Sequence, residues 1–551
     1  MPVGHSIMFG PCRKLQSCWR QTRIMQQPRV EVIYFVKTRL SSSFVFSLLF
    51  VLGLGCLSLH AQSSHGPLGI FEGHSDVGSV LHPGSVSYDA AHGTYTITGS
   101  GENMWLAQDA FQFVWKKTSG DLSLAADITF PHPGANPHRK AALLIRQTLD
   151  TGSVYTDAVL HGVGLTALQF RPEKGAMTAG VELNFDKITD APTRLRIEKR
   201  GDNFTMFLSF HGEPLHPAGA TTRLHLDGPF YVGLGVCSHD KDVSETAVFS
   251  HVVIEPLTAS TDQASSKHDL YSSLQTIALA PTARNQDALY TAQGHFEAPN
   301  WTRDGKSVIF DQDGRIMTVP VAGGTPQPIN IGQATGCNGS HGLSPDGKWL
   351  AISCNTPGNP GSRVYIVPVS GGEPRMVTQN PSSYFHSWSP DGKTIAFARP
   401  HPGGGDFWSI SVDGGPETRL TTTAGISDDP DYSPDGQYIY FNSDRSGSMQ
   451  IWRIHADGSQ PEQITSDERQ NWTPHPSPDG KWIVFISYDK GVTGHPANKE
   501  ISLRLMSLSD RKITNLVNLL GGSGTMNVPS WAPDSAHLAY VSYELVDPNA
   551  K

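Results

Sequence analysis

The sequence predicts an all-β protein in which an antiparallel, jelly-roll-like sandwich precedes a six-bladed β-propeller. In the C-terminal half a short turn motif recurs at nearly constant spacing. The N-terminal half lacks this motif, but its short runs alternate apolar and polar residues, which is typical of half-buried strands. The chain of 551 residues contains 55 glycines and 39 prolines, a composition that suits a turn-rich globular protein.

The repeated turn has the consensus Trp-Ser-Pro-Asp-Gly-Lys and occurs six times. Proline presets φ in such a turn and glycine adopts the left-handed conformation, so each copy predicts a tight turn between two strands. Successive motif aspartates are 42, 45, 44, 44 and 55 residues apart, close to the length of a four-stranded blade. They are Asp304, Asp346, Asp391, Asp435, Asp479 and Asp534.

The sixth repeat is incomplete, because the chain ends soon after its second predicted strand, near Tyr543. Two β-rich runs upstream of the first motif, 274–279 and 288–291, can supply the missing strands. We therefore expect the C-terminus to contribute two inner strands and residues 270–291 to contribute two outer strands. This closure leaves no open sheet edge.

The repeated turn resembles that of the TolB-like (PD40-type) propellers over residues 270–546. The resemblance implies the fold but no single function, because propellers support many unrelated activities. The pattern in 62–258 resembles the concanavalin/laminin-G-like sandwiches. The polar segment 259–269 is interpreted as a linker, so the sandwich is expected to fold alone.

An uncharged apolar run spans residues 44–59 and follows Lys37 and Arg39. It is short for a membrane span, which needs about 20 residues, and is typical of a secretory signal peptide. We expect 1–61 to be removed, leaving a periplasmic or secreted protein without a membrane span. An uncleaved anchor is the alternative. The net charge of −9, without a Lys/Arg cluster in the folded part, argues against nucleic acid as a partner.

Three cysteines lie outside the expected signal segment: Cys237, Cys337 and Cys354. The last two flank the turn at 345–347 on opposite arms of one hairpin. Paired residues of antiparallel strands approach to about 4.5–5.5 Å, a separation that suits a disulfide. Two buried free thiols are the alternative.

The residues just before each motif are expected to meet around one funnel at the centre of the propeller, because the ring brings equivalent positions together. They are rich in histidine and carboxylates, which predicts a ligand site there. The predicted site residues are His295, Glu297, Asn300, Asn338, His341, His386, Asp429, Asp431, His475, His495 and Lys499. The alternative is that these groups only satisfy buried backbone at the mouth of the funnel.

Two features of this set predict a divalent metal such as Ca, Mn or Zn, although no cofactor is certain. His341 and His386 occupy the same aligned position in neighbouring repeats, and with His475 they are the predicted metal ligands. Asp428, Asp429 and Asp431 place three carboxylates within four residues, which favours a hard cation such as calcium. A solvated acidic loop is the alternative for these carboxylates.

The 55-residue interval before the last motif contains an insertion near 489–500. This segment carries His495 and Lys499 and is predicted to form a lid over the funnel, since long loops on rigid scaffolds often carry function. The alternative is a surface loop with no such role.

The favoured function is a non-catalytic, exported protein that holds a glycan or protein ligand at the funnel. No Gly-x-Ser-x-Gly motif follows the propeller, which excludes a prolyl-oligopeptidase-type peptidase. The histidine-rich funnel is similar in kind to the oligogalacturonate lyases, so a metal-assisted polysaccharide lyase or hydrolase is the alternative. Its base would be Lys499 or His295.

Overall fold

The computed structural model describes residues 68–185, 188–257, 269–279, 285–422 and 424–546. The expected signal segment and nearly all of the expected linker therefore lie outside the described residues. Strands dominate the described part, and its one helical element is a 3-10 turn at Ile188–Asp190. Within the same ranges, the model contains no helix with the length and apolar character needed to span a membrane.

The N-terminal part consists of fourteen strands, which include all the runs expected to form strands. They are β1 (Gly73–Val77), β2 (Ser85–Asp89), β3 (Thr94–Gly101), β4 (Phe111–Thr118), β5 (Leu122–Thr129), β6 (Lys140–Arg146), β7 (Tyr155–His161), β8 (Thr166–Arg171), β9 (Ala179–Leu183), β10 (Arg194–Arg200), β11 (Asn203–Ser209), β12 (His216–Arg223), β13 (Phe230–Cys237) and β14 (Asp240–Pro256). The sequence analysis missed five of them, β1, β2, β7, β9 and β12. In β7, Asp157 and His161 interrupt the apolar pattern although both are buried.

These strands form two sheets of seven, in the orders β1-β4-β13-β6-β7-β8-β9 and β12-β11-β10-β5-β14-β3-β2. One large apolar core contains residues of both sheets, among them Leu143 of β6 and Ile197 of β10. The neighbouring Leu144 belongs to a second core on the other face of the first sheet. Because both faces of β6 are buried, its sequence is an almost unbroken apolar run.

The C-terminal part contains the remaining strands. They are β15 (Asp269–Ala278), β16 (Asn285–Gln293), β17 (Phe296–Trp301), β18 (Ser307–Gln312), β19 (Arg315–Pro320), β20 (Gln327–Pro328), β21 (His341–Leu343), β22 (Trp349–Thr356), β23 (Asn359–Pro368), β24 (Arg375–Met376), β25 (Tyr384–Trp388), β26 (Thr394–His401), β27 (Gly404–Ser411), β28 (Thr418–Arg419), β29 (Gly425–Tyr432), β30 (Tyr438–Ser443), β31 (Gln450–His455), β32 (Glu462–Gln463), β33 (Gln470–Pro476), β34 (Trp482–Tyr488), β35 (Lys499–Ser507), β36 (Ile513–Gly521) and β37 (His537–Val546). In sets of four, β17 to β36 form repeats 1 to 5, and each motif turn joins the first two strands of its repeat.

The repeated turn is held by the same contacts in several copies. In repeat 3, Ser389 Oγ donates a 2.6 Å hydrogen bond to Asp391 Oδ1, and the Lys393 amide donates one of 3.0 Å to the same oxygen. Gly392 has φ +69°, a conformation that L side chains rarely adopt. The motif residues therefore specify the turn locally.

Repeat 6 combines the two ends of the described propeller. Strand β37 pairs with β15 from Asp269↔Val546 to Ala278↔His537, and β15 pairs with β16. Trp531 adds an isolated bridge to Leu538 on the inner side of β37. This pairing agrees with the expected closure of two C-terminal inner strands and two upstream outer strands.

Hydrogen bonds near the inner strands join consecutive repeats around the ring. The Leu343 amide donates to Asn300 Oδ1 between repeats 1 and 2, and Trp388 Nε1 donates to the Gly342 carbonyl between repeats 2 and 3. Ser387 Oγ donates to the Pro430 carbonyl between repeats 3 and 4, and His475 bonds to Asp431 between repeats 4 and 5. Trp531 Nε1 donates to the His475 carbonyl between repeats 5 and 6, and Ser530 Oγ donates to the Pro299 carbonyl between repeats 6 and 1. The centre that these strands enclose is the funnel.

The two parts of the chain share a sheet. Strand β9 of the sandwich pairs in parallel with β16 of repeat 6, with Gly180 opposite Asn285. Gln275 Nε2 also donates a hydrogen bond to the Gly219 carbonyl across the junction. An isolated sandwich would expose the edge of β9. If it folds alone, as expected, it must do so with the unpaired backbone groups of that edge open to solvent.

Cys337 and Cys354 form a disulfide, as the hairpin geometry suggested, with their Cα atoms 4.1 Å apart. The adjacent residues Thr335 and Asn355 form an antiparallel bridge, which explains why the two cysteines lie opposite each other. Cys237 is buried and free.

Candidate functional site

The predicted site residues lie mostly on the inner strands themselves. His341, His386, Asp429 and His475 are strand residues, whereas the sequence placed them in loops leading into the strands. The physical reason is a backbone irregularity that hides the strand from pattern analysis. In repeats 1, 4 and 5 the register shifts at Ala298, Asp429 and Thr473, which have φ values of 58°, 53° and 51°.

His386, Asp428 and Asp429 form one compact group, called here the cation group. One ligand atom from each residue lies within 4.8 Å of the others. His386 Nε2 is 3.6 Å from Asp428 Oδ1, and His386 Nδ1 is 3.5 Å from Asp429 Oδ1, both too long for hydrogen bonds. The side chain of Asp428 is 31% exposed and the other two are nearly buried, so the group is accessible from one side.

The electrostatics of the cation group favour a neutral imidazole beside a protonated carboxyl. Burial lowers the pKa of His386 to about 4, although the carboxylate of Asp428 opposes the shift. Burial and then the charge of Asp428 raise the pKa of Asp429 well above its ordinary value. A bound cation would reverse the shift at Asp429, because it favours the ionised carboxylate.

His386 also shows that several repeats converge. Its ring lies close to the backbone of Asn527 from repeat 6, and it interacts electrostatically with His475 and His495 from repeat 5. Repeats 3 to 6 therefore contribute groups to this part of the funnel.

A second group surrounds Glu297 in repeat 1. Burial raises the pKa of Glu297 to about 7 and that of Asp311 to about 6. Glu297 packs against the backbone of repeats 2 and 6, since a Cβ on Gly339 would lie 2.5 Å from its Cδ and one on Gly524 would lie 3.1 Å from its Cβ. Asp311 was missed by the sequence analysis, although a lone carboxylate ending the apolar run of β18 was a usable signal.

His341 is fully buried, and neither ring nitrogen has a hydrogen-bond partner in the described part of the chain. Burial lowers its pKa to about 4, so the ring is neutral at ordinary pH. A buried imidazole without partners is costly, which makes His341 a candidate for contact with a ligand.

Four predicted site residues instead hold the fold together. His475 contacts Asp431 Oδ2 at 3.0 Å and the Met526 carbonyl at 3.3 Å. Asn300 accepts from the Leu343 amide and donates to the Pro529 carbonyl, and Asn338 donates to Ser362 Oγ. The contacts of these four residues match the alternative interpretation, in which the polar groups satisfy one another and the backbone inside the fold.

The proposed metal ligands separate in the structure. His341, His386 and His475 are not a group whose ligand atoms lie within 4.8 Å of one another, and only His386 belongs to the group found among the described residues. The sequence could not show this, because equivalent positions in a ring share a radius but not a side-chain direction. Of the acidic run, Asp428 and Asp429 join the group while Asp431 pairs with His475.

The remaining predicted residues lie at the edge of these groups. The His295 ring stacks on Tyr543 with centroids 5.4 Å apart, and burial lowers its pKa. In the insertion, His495 packs on Trp472 with centroids 4.6 Å apart. Lys499 is exposed at the start of β35.

Comparisons with known proteins agree with this architecture. A family model for the TolB β-propeller domain matches residues 382–508. An uncharacterized protein of Agrobacterium fabrum is 46% identical over 249 residues, which are 45% of this chain and 85% of that protein. A solved structure assigned to TolB from Agrobacterium tumefaciens shares 42% identity over 50% of this chain and 99% of its own, with a TM-score of 0.48.

A second solved structure, TolB from Acinetobacter baumannii, is 19% identical over 46% of this chain and 64% of its own, with a TM-score of 0.38. The family assignment rests on the family model and on the relative from Agrobacterium fabrum. This chain matches most of the length of that relative at high identity. Through its C-terminal half, the chain belongs to the family of TolB-type β-propeller proteins.

Proposed function

We propose that the protein is an exported, TolB-like binding protein that holds a polar ligand, a glycan or a protein segment, in the funnel of the propeller. The observation that carries the proposal is a set of buried polar atoms near the funnel for which the described part of the chain supplies no hydrogen-bond partner: both nitrogens of His341, Nδ1 of His386 and Oδ2 of Asp311. Leaving such a group unsatisfied costs about 1–3 kcal/mol. A ligand that supplies the missing partners would recover this free energy.

We further propose that the cation group binds a divalent metal as part of this site. Two carboxylates and a neutral imidazole suit manganese or zinc, and the carboxylates also suit calcium. Three protein ligands would leave coordination positions for water or for a ligand. Without a cation, burial and the charge of Asp428 oppose the ionisation of Asp429.

Two features support action outside the cytoplasm. The disulfide between Cys337 and Cys354 suits an oxidising compartment, since such bonds are rare in proteins kept under reducing conditions. The basic and apolar pattern before residue 61 has the form of a secretory signal. A periplasmic or secreted location follows as part of the proposal.

The second candidate function, a metal-assisted polysaccharide lyase or hydrolase, is favoured by the cation group alone. The two candidate bases do not strengthen it. His295 stacks on Tyr543, and Lys499 is exposed at a strand start. Binding without catalysis therefore explains more of the site.

The test combines a glycan array with calorimetric titration of Ca²⁺, Mn²⁺ and Zn²⁺ into the mature chain, 62–551. We expect metal binding that weakens at least about tenfold in His386→Ala and Asp429→Asn. The exposed His92→Ala in the sandwich is the matched control. Absence of both glycan and metal binding in the unaltered protein, with no protein captured from a periplasmic extract, would contradict the proposal. Turnover of uronate-containing glycans that stops on chelation would support the lyase instead.

A further inference from the structure

A cleft of about 490 Å³ lies between the motif turns of repeats 2 and 3, apart from all the predicted site residues. This volume is within the range of pockets that bind small molecules. It is called here the tryptophan cleft, because two indoles line it. Its lining consists of Ser344, Pro345, Asp346, Trp349, Ile366, Arg375, Trp388, Pro390, Asp391, Gly392, Val412 and Asp413.

The two indoles are fixed in different ways. Trp388 donates a 2.9 Å hydrogen bond from Nε1 to the Gly342 carbonyl of the neighbouring repeat, so its ring is anchored. Trp349 begins β22 and leaves 43% of its surface exposed. The cleft thus offers one fixed and one accessible aromatic ring.

The polar rim carries three carboxylates and one guanidinium, which is an excess of negative charge. Arg375 Nη1 donates to the Val412 carbonyl at 2.9 Å, which fixes the guanidinium at the rim. Asp346 is paired with Lys348 at 3.4 Å. In Asp391 the turn uses Oδ1, which accepts from Ser389 and Lys393. Asp391 and Asp413 therefore offer hydrogen-bond acceptors opposite one fixed donor group.

The equivalent junction of repeats 5 and 6 also has two tryptophans, Trp482 and Trp531, but it is closed. There the Asp479 amide donates a 3.0 Å hydrogen bond to Ser535 Oγ, which ties the two turns together. Trp531 is only 5% exposed and belongs to an apolar core against which Trp482 packs. The repeat therefore does not by itself produce an open cleft between two tryptophans, as found between repeats 2 and 3.

We infer that the tryptophan cleft is a second binding site, for a neutral saccharide unit. An aromatic face binds the apolar CH face of a sugar ring, while hydroxyl groups both accept from a guanidinium and donate to carboxylates. The excess of carboxylates at the rim disfavours an anionic ligand. A lysine-rich peptide is the main competing occupant, because carboxylates and indoles also attract cations.

The experiment titrates maltohexaose, cellohexaose, mannohexaose and a lysine-rich peptide into the full mature chain by calorimetry. We expect at least one neutral oligosaccharide to bind, and Trp349→Ala to weaken its affinity by about tenfold or more. Asp413→Ala is expected to weaken it less. Because Trp349 is half exposed, its replacement leaves the fold largely unaffected, which thermal unfolding verifies.

Two controls keep this site separate from the funnel. Trp482→Ala, at the same strand position in repeat 5, should retain oligosaccharide binding. His386→Ala tests whether the sugar binds in the funnel instead. Loss of binding in His386→Ala with retention in Trp349→Ala would place the sugar in the funnel and overturn the inference while the proposed function stands. Binding of none of the three oligosaccharides, or of the peptide alone, would also overturn it.

Discussion

Two buried ionisable residues, Asp109 in the sandwich and His341 in the funnel, are satisfied differently. In the sandwich, Asp109 accepts hydrogen bonds from Arg171 at 2.6 and 2.9 Å and from Arg146 at 3.2 Å. In the funnel, the described part of the chain offers no hydrogen-bond partner to either ring nitrogen of His341, and His386 is 3.5 Å or more from its nearest carboxylates. Buried charge that is paired serves the fold, whereas buried polar atoms left unpaired indicate a place where something else binds.

The largest loss of stability should come from removing Asp109, which pairs with two buried arginines of the sandwich. Asp109→Ala would leave Arg146 and Arg171 buried without their counter-charge, so we expect a loss of about 3–5 kcal/mol in the free energy of unfolding. Urea denaturation measures it. Asp242→Ala, which removes an exposed pair with Lys241, should cost less than about 1 kcal/mol. A loss below about 1 kcal/mol for Asp109→Ala would remove the contrast between the two regions.

Within the propeller, His475 joins repeats 4 and 5, so its removal should destabilise the fold as the removal of Asp109 does in the sandwich. His475→Leu removes both its contact with Asp431 and its contact with the Met526 carbonyl, leaving a buried carboxyl without its partner. We expect a loss of about 1–3 kcal/mol, measured in the same way. An unchanged free energy of unfolding would mean that His475 is not a structural link.

The pH dependence of stability should separate Glu297 from the exposed carboxylates. Its pKa is about 7 in the folded chain, raised from 4.5 by burial. Between these values the unfolded chain has released the proton while the folded chain keeps it, so this contribution to stability falls as the pH rises through that window and is constant above it. Glu297→Gln should flatten the pH dependence of stability between about pH 4.5 and 7. A profile that is identical in the variant would contradict the assignment.

The smallest change in stability is expected at His341, where the comparison is sharpest. His341→Leu replaces an unpartnered buried ring with an apolar side chain, so the free energy of unfolding should change by less than about 1 kcal/mol or rise. Funnel ligand or metal binding should nevertheless weaken in the same variant. Destabilisation comparable to that of His475→Leu would show that His341 has an unrecognised structural partner.

The sequence determined the repeat, and through it most of the fold. Serine, proline, aspartate and glycine at fixed offsets specify four of the six turns by contacts within a few residues, and the first and sixth turns keep the aspartate. Pattern analysis therefore located every motif turn, the closure through β15 and the disulfide. It was less effective in the sandwich, where β7 carries polar residues on a buried strand.

The tertiary structure alone decided which polar residues are free to bind. His386 and His475 are of one residue type and lie two residues and one residue before their motifs, respectively. His475 nevertheless contacts Asp431, while His386 stays outside hydrogen-bonding distance of both of its carboxylates. The partners come from neighbouring repeats about 44 residues away, and the backbone irregularities at Ala298, Asp429 and Thr473 set the local direction of the strands. A local pattern reports residue type and spacing, whereas pairing depends on directions that exist only once the ring is closed.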